Sequence, residues 1–362
     1  MKKVFKVVIL SILAFAMVAC SKKDSTTVVF DAKEKFGCNV LNFYNWGEYI
    51  GEHVISNFEK AYNAKVNYSL FDSNEAMYTK LLGGNSYDII IPSDYTIERM
   101  IKEDLLLKLD LTKIPNMSLI ADEVKNLPYD PNNDYAIPYM WGSVGIVYNK
   151  EKIDPAKVEE LGYNIFLDES LKDRAFLYDS ERDSFMMAFK ALGYSMNTEN
   201  EEEIEAAYQW LLKVNDTINP AYVTDEVIDA MANGEKDIAV VYSGDAAYIL
   251  SENEDMAYSM PKGGTNMWID GMVIPKNAQC PDLAHEFLNY MLSYEAAKDN
   301  SLTVGYTSSN KQVVEELSGE GGQYFGNEAY LPRSNYELDE VFQYKELLKE
   351  KLAALWIKVK NK

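Results

Sequence analysis

The sequence predicts an α/β protein of two domains, each a mainly parallel sheet flanked by helices. At 362 residues, the chain exceeds the size that one hydrophobic core usually fills. Short apolar runs of strand length alternate with stretches of helical periodicity, which is the pattern of βαβ units. Two extended apolar stretches, near residues 140–149 and 266–275, separate the two series, and we expect them to form a hinge of two crossover strands.

The first βα series begins with the apolar residues 38–42, which predict a buried strand. Residues 53–64 then carry apolar side chains at helical spacing. Because short oxygen-bearing side chains satisfy free N–H groups at helix starts, Ser93 and Asp94 indicate where a later helix begins. The series comprises strands over 38–42, 65–70 and 87–92 and helices over 53–64, 74–82 and about 95–105.

The second βα series follows a turn at residues 130–134 and an extended stretch that Pro138 and Gly142 interrupt. It comprises strands over 176–178 and 237–242 and helices over 183–192, 200–214 and 225–233, and helices over 282–291 and 339–360 finish the chain. We expect a first lobe of residues 38–148 and 269–311, and a second lobe of residues 149–268 and 312–362.

The start of the chain has the pattern of an export signal. Three lysines precede an apolar run over residues 7–15 that is too short to span a bilayer as a mature helix. Residues 17–20, Met-Val-Ala-Cys, resemble the lipobox of bacterial lipoproteins. The resemblance implies a signal peptide over 1–19, a lipid on Cys20 that anchors an exported protein to the membrane, and a tether over 20–37. The alternative is an ordinary secretory cleavage in which Cys20 has no role.

Acidic residues dominate the composition. The chain has 57 aspartates and glutamates against 35 lysines and arginines, a formal charge of −22. Without the three lysines of residues 1–19, the formal charge becomes −25. Such a charge disfavours nucleic acid and anionic membrane surfaces as binding partners and favours cationic ones.

Two cysteines remain beyond the export signal, Cys38 and Cys280. An oxidising compartment permits a disulfide between them, but two cysteines do not make a disulfide framework. We expect two free, mostly buried thiols.

No catalytic or metal motif is complete in the sequence. His285-Glu286 begins like a zinc-protease helix, but Asn289 stands where the second histidine is needed. Residues 130–141 begin like a calcium loop but lack its glycine and its final glutamate. Phosphate-loop, nucleophile-elbow and dinucleotide signatures are absent. Carboxylates are numerous enough that counting does not exclude a glycoside hydrolase, yet nothing nominates a catalytic pair. We therefore expect a binding protein without enzyme activity, cofactor or metal.

The run Phe-Tyr-Asn-Trp-Gly-Glu-Tyr at residues 43–49 follows the first predicted strand. In a parallel α/β sheet, ligands bind outside the carboxyl ends of the strands. Aromatic faces together with a carboxylate suit an organic cation. The alternative is that these aromatic residues form only the edge of a core.

Several acidic and aromatic runs together resemble the spermidine/putrescine-binding proteins of bacterial ABC polyamine transporters. The resemblance extends from about Cys38 to at least Asn310, and its most specific piece is DPNNDYAIPYMWG at residues 130–142. It implies a two-lobed periplasmic-binding fold of type II that grips a polyamine in its cleft and delivers it to an ABC permease. The runs are residues 43–49, 74–78, 129–141, 179–185, 268–270 and 305–306.

The resemblance also implies which residues contact the ligand. Trp268 would lie along the polymethylene chain and Asp270 would bind an ammonium group, while Tyr242 stands where the family usually has tryptophan. A polyamine needs flat apolar walls for its methylenes and carboxylates for its charges, because a sequestered ammonium is costly unless it is paired. The candidate ligand-binding set is Trp46, Glu48, Tyr49, Ser93, Tyr95, Asp179, Asp183, Tyr242, Asp245, Trp268, Asp270 and Tyr306.

Other interpretations remain open for single residues. Trp46 and Trp268 also fit core packing, Glu48 also fits a helix cap, and Ser93 also fits an N-cap. An acid that the family often has is replaced by Ser180, and its late glutamine contact matches Gln343 only weakly.

The sequence does not distinguish putrescine from spermidine as the ligand. Alternatives for the whole protein are a binder of the same fold for another solute, such as thiamine, ferric ion or a sugar, and an exported glycoside hydrolase.

Overall fold

A computed structural model describes residues 28–361, so the predicted signal peptide and Cys20 lie outside the described residues. Among the described helices, none combines the length and apolar character needed to cross a bilayer.

The first half of the chain forms α1 (Ala32–Phe36), β1 (Val40–Trp46), α2 (Val54–Tyr62), β2 (Lys65–Phe71), α3 (Asn74–Leu82), β3 (Ile89–Ile90), α4 (Asp94–Lys102) and β4 (Ala136–Asn149), with 3₁₀ turns at Leu111–Lys113, Pro115–Leu119 and Asp122–Val124.

The chain continues through a second α/β series and returns along one long strand. Its elements are α5 (Pro155–Leu161), β5 (Ala175–Tyr178), α6 (Glu181–Leu192), α7 (Glu201–Ile218), β6 (Ala221–Val223), α8 (Glu226–Ala232), β7 (Ile238–Tyr242), α9 (Ser243–Glu252), β8 (Met256–Ser259), β9 (Met267–Val273), α10 (Pro281–Met291), α11 (Tyr294–Val304), β10 (Thr307–Ser308), α12 (Lys311–Ser318) and α13 (Glu346–Lys360), with 3₁₀ turns at Gly162–Leu167 and Glu169–Leu171.

The strands hydrogen-bond in the order β2-β1-β3-β9-β4-β7-β5-β6. On one side, β1 pairs in parallel with β2 and β3, and on the other side β5 pairs in parallel with β6 and β7. Between them, the predicted crossover strands β4 and β9 pair antiparallel, with Trp141 opposite Ile269. The sheet is therefore mainly parallel within each lobe, and the two antiparallel strands join the lobes.

The two larger hydrophobic cores of residues 28–361 lie on either side of this junction, and a smaller one packs between the sheet, α3 and α4 of the first lobe. The first core takes residues from α1, α2, β1, β3 and α10, and the second takes residues from β5, β7, α6 and α7. Along β4 the core changes between Trp141 and Val144, whereas along β9 Trp268 belongs to the second core and its neighbours Met267 and Ile269 pack in the first. The predicted division after residue 148 stays a prediction, and we propose a lobe boundary near residue 142.

Local sequence explains where helices near the cleft begin. The side chain of Ser73 accepts a hydrogen bond from the backbone N–H of Ala76 at the start of α3, and that of Ser180 does the same for Asp183 at the start of α6. Ser93 is the N-cap residue of α4 but makes no side-chain capping bond there.

Three sequence-based boundaries differ in the structure. The first strand continues to Trp46, so the first four residues of the aromatic run lie within β1, and only Gly47, Glu48 and Tyr49 follow it. The predicted tether ends in α1, whose Ala32 is buried in the first core. The last helix begins at Glu346 rather than near residue 339, because Glu340 turns back to form an ion pair with the buried Lys190.

The expectation of free thiols is wrong, since Cys38 and Cys280 form a disulfide. Cys38 lies just before β1 and Cys280 is the N-cap residue of α10. Their Cα atoms lie 6.2 Å apart, although 242 positions separate them in the sequence. The disulfide ties the first strand of the lobe to a helix from the returning part of the chain.

Candidate functional site

A cavity of about 690 Å³ lies between the two lobes. The first lobe contributes the end of β1 and the start of α4, and the second contributes the start of α6 and the end of β7. Ten of the twelve predicted ligand-binding residues line it: Trp46, Glu48, Tyr49, Ser93, Tyr95, Asp183, Tyr242, Trp268, Asp270 and Tyr306.

Asp270 is the buried carboxylate of the first-lobe wall. It lies on β9, and the Tyr49 hydroxyl donates a hydrogen bond to Asp270 Oδ2 over 2.8 Å. Burial raises the pKa of Asp270 to about 6, although hydrogen bonds from Ser93 and Tyr49 pull it down. Among residues 28–361, no lysine or arginine forms an ion pair with this carboxylate. Asp270 is thus a desolvated anion whose countercharge has to come from elsewhere.

The amide of Asn74 holds two other cavity residues in place. Its Nδ2 donates to Ser93 Oγ over 3.1 Å and to the Tyr95 hydroxyl over 2.7 Å, and its Oδ1 accepts from the Ser93 backbone N–H. The start of α3 therefore fixes the side chains at the start of α4. Asn74 belongs to one of the runs that resemble the family, but its support of Ser93 and Tyr95 was not predicted from the sequence.

Asp94 was predicted only as a helix cap, yet it also lines the cavity. Its Oδ1 accepts from the Tyr95 backbone N–H and its Oδ2 from the Ile269 backbone N–H over 3.1 Å. Burial raises the pKa of Asp94 to about 7 despite these two bonds. Its carboxylate therefore ties α4 to β9 and carries charge only near neutral pH and above.

The aromatic wall is built around Trp268. Its ring packs edge-to-face against Tyr306 at 5.0 Å and against Tyr242 at 6.3 Å between ring centroids. Two glycines make room for these rings: a Cβ at Gly142 would overlap the Trp268 ring, and one at Gly244 would overlap the Tyr306 ring. These close approaches explain why both positions hold glycine.

Trp46, the last residue of β1, forms the opposite part of the aromatic wall. Its ring packs on Phe71 at 4.5 Å, and its Nε1 donates to the Ile91 carbonyl over 2.9 Å. With the polar edge of the indole satisfied by the backbone, the ring offers an apolar face to the cavity.

Glu48 lies at the exposed turn that follows β1. Its backbone adopts a left-handed conformation with φ of 51°, which is uncommon for a residue other than glycine and recurs at functional sites. The side chain lines the cavity. This placement fits a ligand contact better than the alternative of a helix cap, because His53, not Glu48, is the N-cap residue of α2.

Asp183 is the buried carboxylate of the second-lobe wall. Its Oδ2 accepts from Ser180 Oγ over 2.6 Å and from the Tyr242 hydroxyl over 2.8 Å. A tryptophan, which the family usually has at position 242, carries no hydroxyl group. Tyrosine at this position therefore gives the Asp183 carboxylate an additional hydrogen-bond donor. Tyr242 in turn stacks on Tyr178, with ring centroids 4.7 Å apart.

Two predicted ligand-binding residues do not line the cavity. Asp179 accepts from Trp356 Nε1 and pairs with Lys360, so it fastens the start of α6 to α13. Asp245 accepts from the hydroxyls of Tyr306 and Tyr178 over 2.9 and 3.2 Å.

Several residues that line the cavity were not among the predicted ligand-binding residues. Arg182 is the only cation among the described lining residues, and it adjoins the predicted Asp183 in the sequence. Asp72 and Asp225 are exposed carboxylates that directly follow or precede secondary-structure elements, a position that could have suggested them. Gln343 does not line the main cavity, whereas its neighbour Phe342 does. The full set of missed residues is Gly47, Phe71, Asp72, Asp94, Arg182, Asp225, Asn266 and Phe342.

Comparison with known proteins gives consistent likenesses. Residues 53–323 match the family described as bacterial extracellular solute-binding protein. The spermidine/putrescine-binding periplasmic protein of Escherichia coli (strain K12) is 36% identical over 284 residues, covering 78% of this chain and 81% of that protein.

Solved structures agree with the sequence likenesses. The spermidine/putrescine ABC transporter substrate-binding protein PotD from Streptococcus pneumoniae superposes with a TM-score of 0.78 at 36% identity, covering 89% of this chain and 98% of that one. The TpPotD lipoprotein of Treponema pallidum superposes with a TM-score of 0.75 at 28% identity, covering 89% and 99%. The predicted two-lobed α/β fold is confirmed.

Proposed function

The chain belongs to the bacterial extracellular solute-binding protein family, and we propose that it captures a polyamine between its lobes and delivers it to an ABC permease. Members of such a family bind a solute without making or breaking a bond, so the protein is a binder and not an enzyme. The Escherichia coli relative and the Streptococcus pneumoniae structure carry spermidine and putrescine in their names, which supports a polyamine rather than thiamine, ferric ion or a sugar.

The observation that carries the proposal is Asp270, a buried carboxylate in an aromatic-walled cavity that no lysine or arginine of residues 28–361 pairs with. An ammonium group of the ligand would supply the missing charge, and the Tyr49 hydroxyl already holds the carboxylate in place. Such a charge-assisted hydrogen bond is stronger than a neutral one, and burial from water strengthens it further.

The remaining lining residues fit the rest of a polyamine. Trp46 and Trp268 present flat faces for the methylene chain and for cation–π contact. Asp183, on the opposite wall of the cavity, would receive a second ammonium group. The proposed ligand contacts are the ten predicted residues that line the cavity, together with Asp72 and Asp225 at its exposed edge.

Closure of the lobes around the ligand is the proposed mechanism of capture. Both walls are joined by β4 and β9, so a change in backbone angles within these two strands would move one lobe relative to the other. A closed protein presents both lobes to the permease in one arrangement, which couples ligand occupancy to delivery.

Calorimetric titration tests the proposal. The chain from Ser21 is unfolded and refolded to strip any carried-over ligand, then titrated with putrescine, spermidine, spermine and cadaverine. We expect micromolar or tighter binding of at least one polyamine. Silence with all four would reject polyamine capture, and thiamine would then be titrated into the same cavity.

Export and a lipid anchor on Cys20 are part of the proposal. The lipobox-like residues 17–20 support it, and a similar solved protein is named a lipoprotein. Expression of the full chain in a bacterium fed an alkyne fatty acid should label the wild type and leave Cys20→Ala unlabelled. Equal labelling of both forms, or of neither, would contradict the anchor.

A further inference from the structure

One end of the ligand cavity is closed by a cation rather than by an acid. The guanidinium of Arg182 lies over the Tyr95 ring, 3.4 Å from its centroid, and 5.1 Å from the centroid of Phe342. Tyr95 belongs to α4 of the first lobe, whereas Arg182 belongs to α6 of the second. The stack therefore crosses the cleft.

The charge of Arg182 is not neutralised by a direct ion pair. Among residues 28–361, no carboxylate lies within 4.0 Å of its guanidinium nitrogens, although Asp183 and Glu75 are close enough to act on it electrostatically. Its immediate neighbours are aromatic faces, which accept a guanidinium by stacking. A fixed positive charge thus stands in a cavity whose other charged lining groups are carboxylates.

The same three side chains separate two cavities. Tyr95, Arg182 and Phe342 line both the main cavity of about 690 Å³ and a smaller one of about 50 Å³ beyond it. The smaller cavity is also lined by Asn197 and Gln343. Arg182 therefore stands where an extended ligand would have to pass to reach the second space.

We propose that the Tyr95–Arg182–Phe342 stack is an end-stop that limits the length and charge of the bound polyamine. This inference rests on the proposed polyamine-binding function and narrows it: the cleft favours a diamine over a triamine or a tetraamine. A diamine places its two ammonium groups on the carboxylates of the walls. A longer polyamine brings a further ammonium group towards the guanidinium, where like charges repel each other.

The inference predicts a change of preference in Arg182 variants. Putrescine, spermidine and spermine are titrated into the refolded wild type, Arg182→Ala and Arg182→Met. We expect the wild type to bind putrescine most tightly. In Arg182→Ala, the affinity for spermidine relative to putrescine should rise on the order of tenfold, because both the charge and the obstruction are removed. Arg182→Met keeps much of the bulk without the charge, so its ratio should rise less.

Arg99→Ala is the matched control. Arg99 also stacks on a tyrosine, 3.9 Å from the Tyr78 centroid, but does not line the main cavity. Its removal should leave the affinity ratio within about twofold of the wild type, which is a negligible free-energy difference. Circular dichroism melting of every variant confirms that it folds.

Three outcomes would overturn the end-stop. The first is an unchanged ratio of spermidine to putrescine affinity in Arg182→Ala. This includes the case in which the affinities for all polyamines fall together, because the arginine would then only hold the lobes closed. A similar ratio change in Arg99→Ala would show that the effect is not local. A wild type that binds none of the three polyamines would reject the proposed function itself, and the end-stop with it.

Discussion

Asp270 and Asp245 are two carboxylates with nearly the same surroundings and different access to the ligand cavity. Burial raises the pKa of each to about 6, and each accepts hydrogen bonds from hydroxyl groups. Asp270 bonds to Tyr49 and Ser93, and Asp245 bonds to Tyr306 and Tyr178. Only Asp270 lines the cavity.

The Tyr306 side chain accounts for much of this difference. Its hydroxyl is directed to Asp245, while its ring packs on Trp268 and lines the cavity. One tyrosine therefore presents its apolar face to the ligand and covers an acid with its polar end. A shifted pKa shows that a carboxylate is desolvated, but an open face towards the cavity decides whether it can bind a cation.

The largest expected effect separates the two acids directly. Asp270→Asn should weaken polyamine binding on the order of a hundredfold, because it removes the charge that pairs with a buried ammonium group. The matched change Asp245→Asn should alter affinity by less than about threefold, since that carboxylate does not line the cavity. Calorimetry with the preferred polyamine measures both. Equal losses in the two variants would show that Asp245 reaches the ligand after the lobes close.

The second effect concerns the stability of the ligand-free protein. Both carboxyl pKa values lie above those of the unfolded chain, so the folded state binds these protons more tightly. The stabilisation is therefore present at low pH and is lost as pH rises through about 6. Between pH 5 and 7.5, the two groups together should lower the free energy of unfolding by on the order of 2 kcal/mol.

Urea unfolding at pH 5 and pH 7.5 measures this difference. Asp270→Asn and Asp245→Asn should each remove about half of the loss that these two groups cause, while the loss from other titrating groups, such as Asp94, is common to all forms. Here the two acids should behave alike, in contrast to their effects on binding. A pH-dependent loss as large in both variants as in the wild type would contradict the assigned pKa directions.

The third effect is the pH dependence of binding. With a pKa of about 6, Asp270 is almost fully ionised at pH 7.5 and mostly protonated at pH 5, so affinity should fall about tenfold between them. Protonation of Asp94, with a pKa of about 7, acts in the same direction. Asp245→Asn should keep this dependence. Stronger binding at pH 5, with ligand ionisation unchanged, would contradict recognition by charged acids.

Much of the fold and of the cavity wall was predictable because each depends on local pattern. Alternating strand and helix periods predicted the two series and both crossover strands, and the aromatic run at residues 43–49 pointed to the cleft. The family resemblance added Trp268 and Asp270, which lie side by side on β9.

The rest depends on contacts between distant parts of the chain. Cys38 and Cys280 are neighbours because α10 packs against the first lobe, a contact between parts of the chain that lie far apart in the sequence. Asp245 comes just after the end of β7, a position typical of ligand-binding residues, and nothing in its local sequence shows that Tyr306, 61 positions later, covers it. Arg182 lies in the first turn of an ordinary helix, and its role at the cavity end depends on Tyr95 from the other lobe.

The smallest effect tests the hydroxyl partners of the two acids. Tyr49→Phe removes one hydrogen bond that holds the Asp270 carboxylate in position, so binding at pH 7.5 should weaken by about fivefold, the equivalent of about 1 kcal/mol. The same change raises the pKa of Asp270 further, which should contribute less than about twofold of that loss. Tyr178→Phe is the matched change at Asp245 and should leave affinity nearly unchanged. Calorimetry at pH 7.5 and pH 9 distinguishes a raised pKa of Asp270 from a loss of its orientation. A loss in Tyr49→Phe that disappears at pH 9 arises from the pKa alone, whereas a loss that persists shows that the hydroxyl also orients the carboxylate towards the ligand. No loss at either pH would mean that Ser93 alone is enough to hold Asp270 in place.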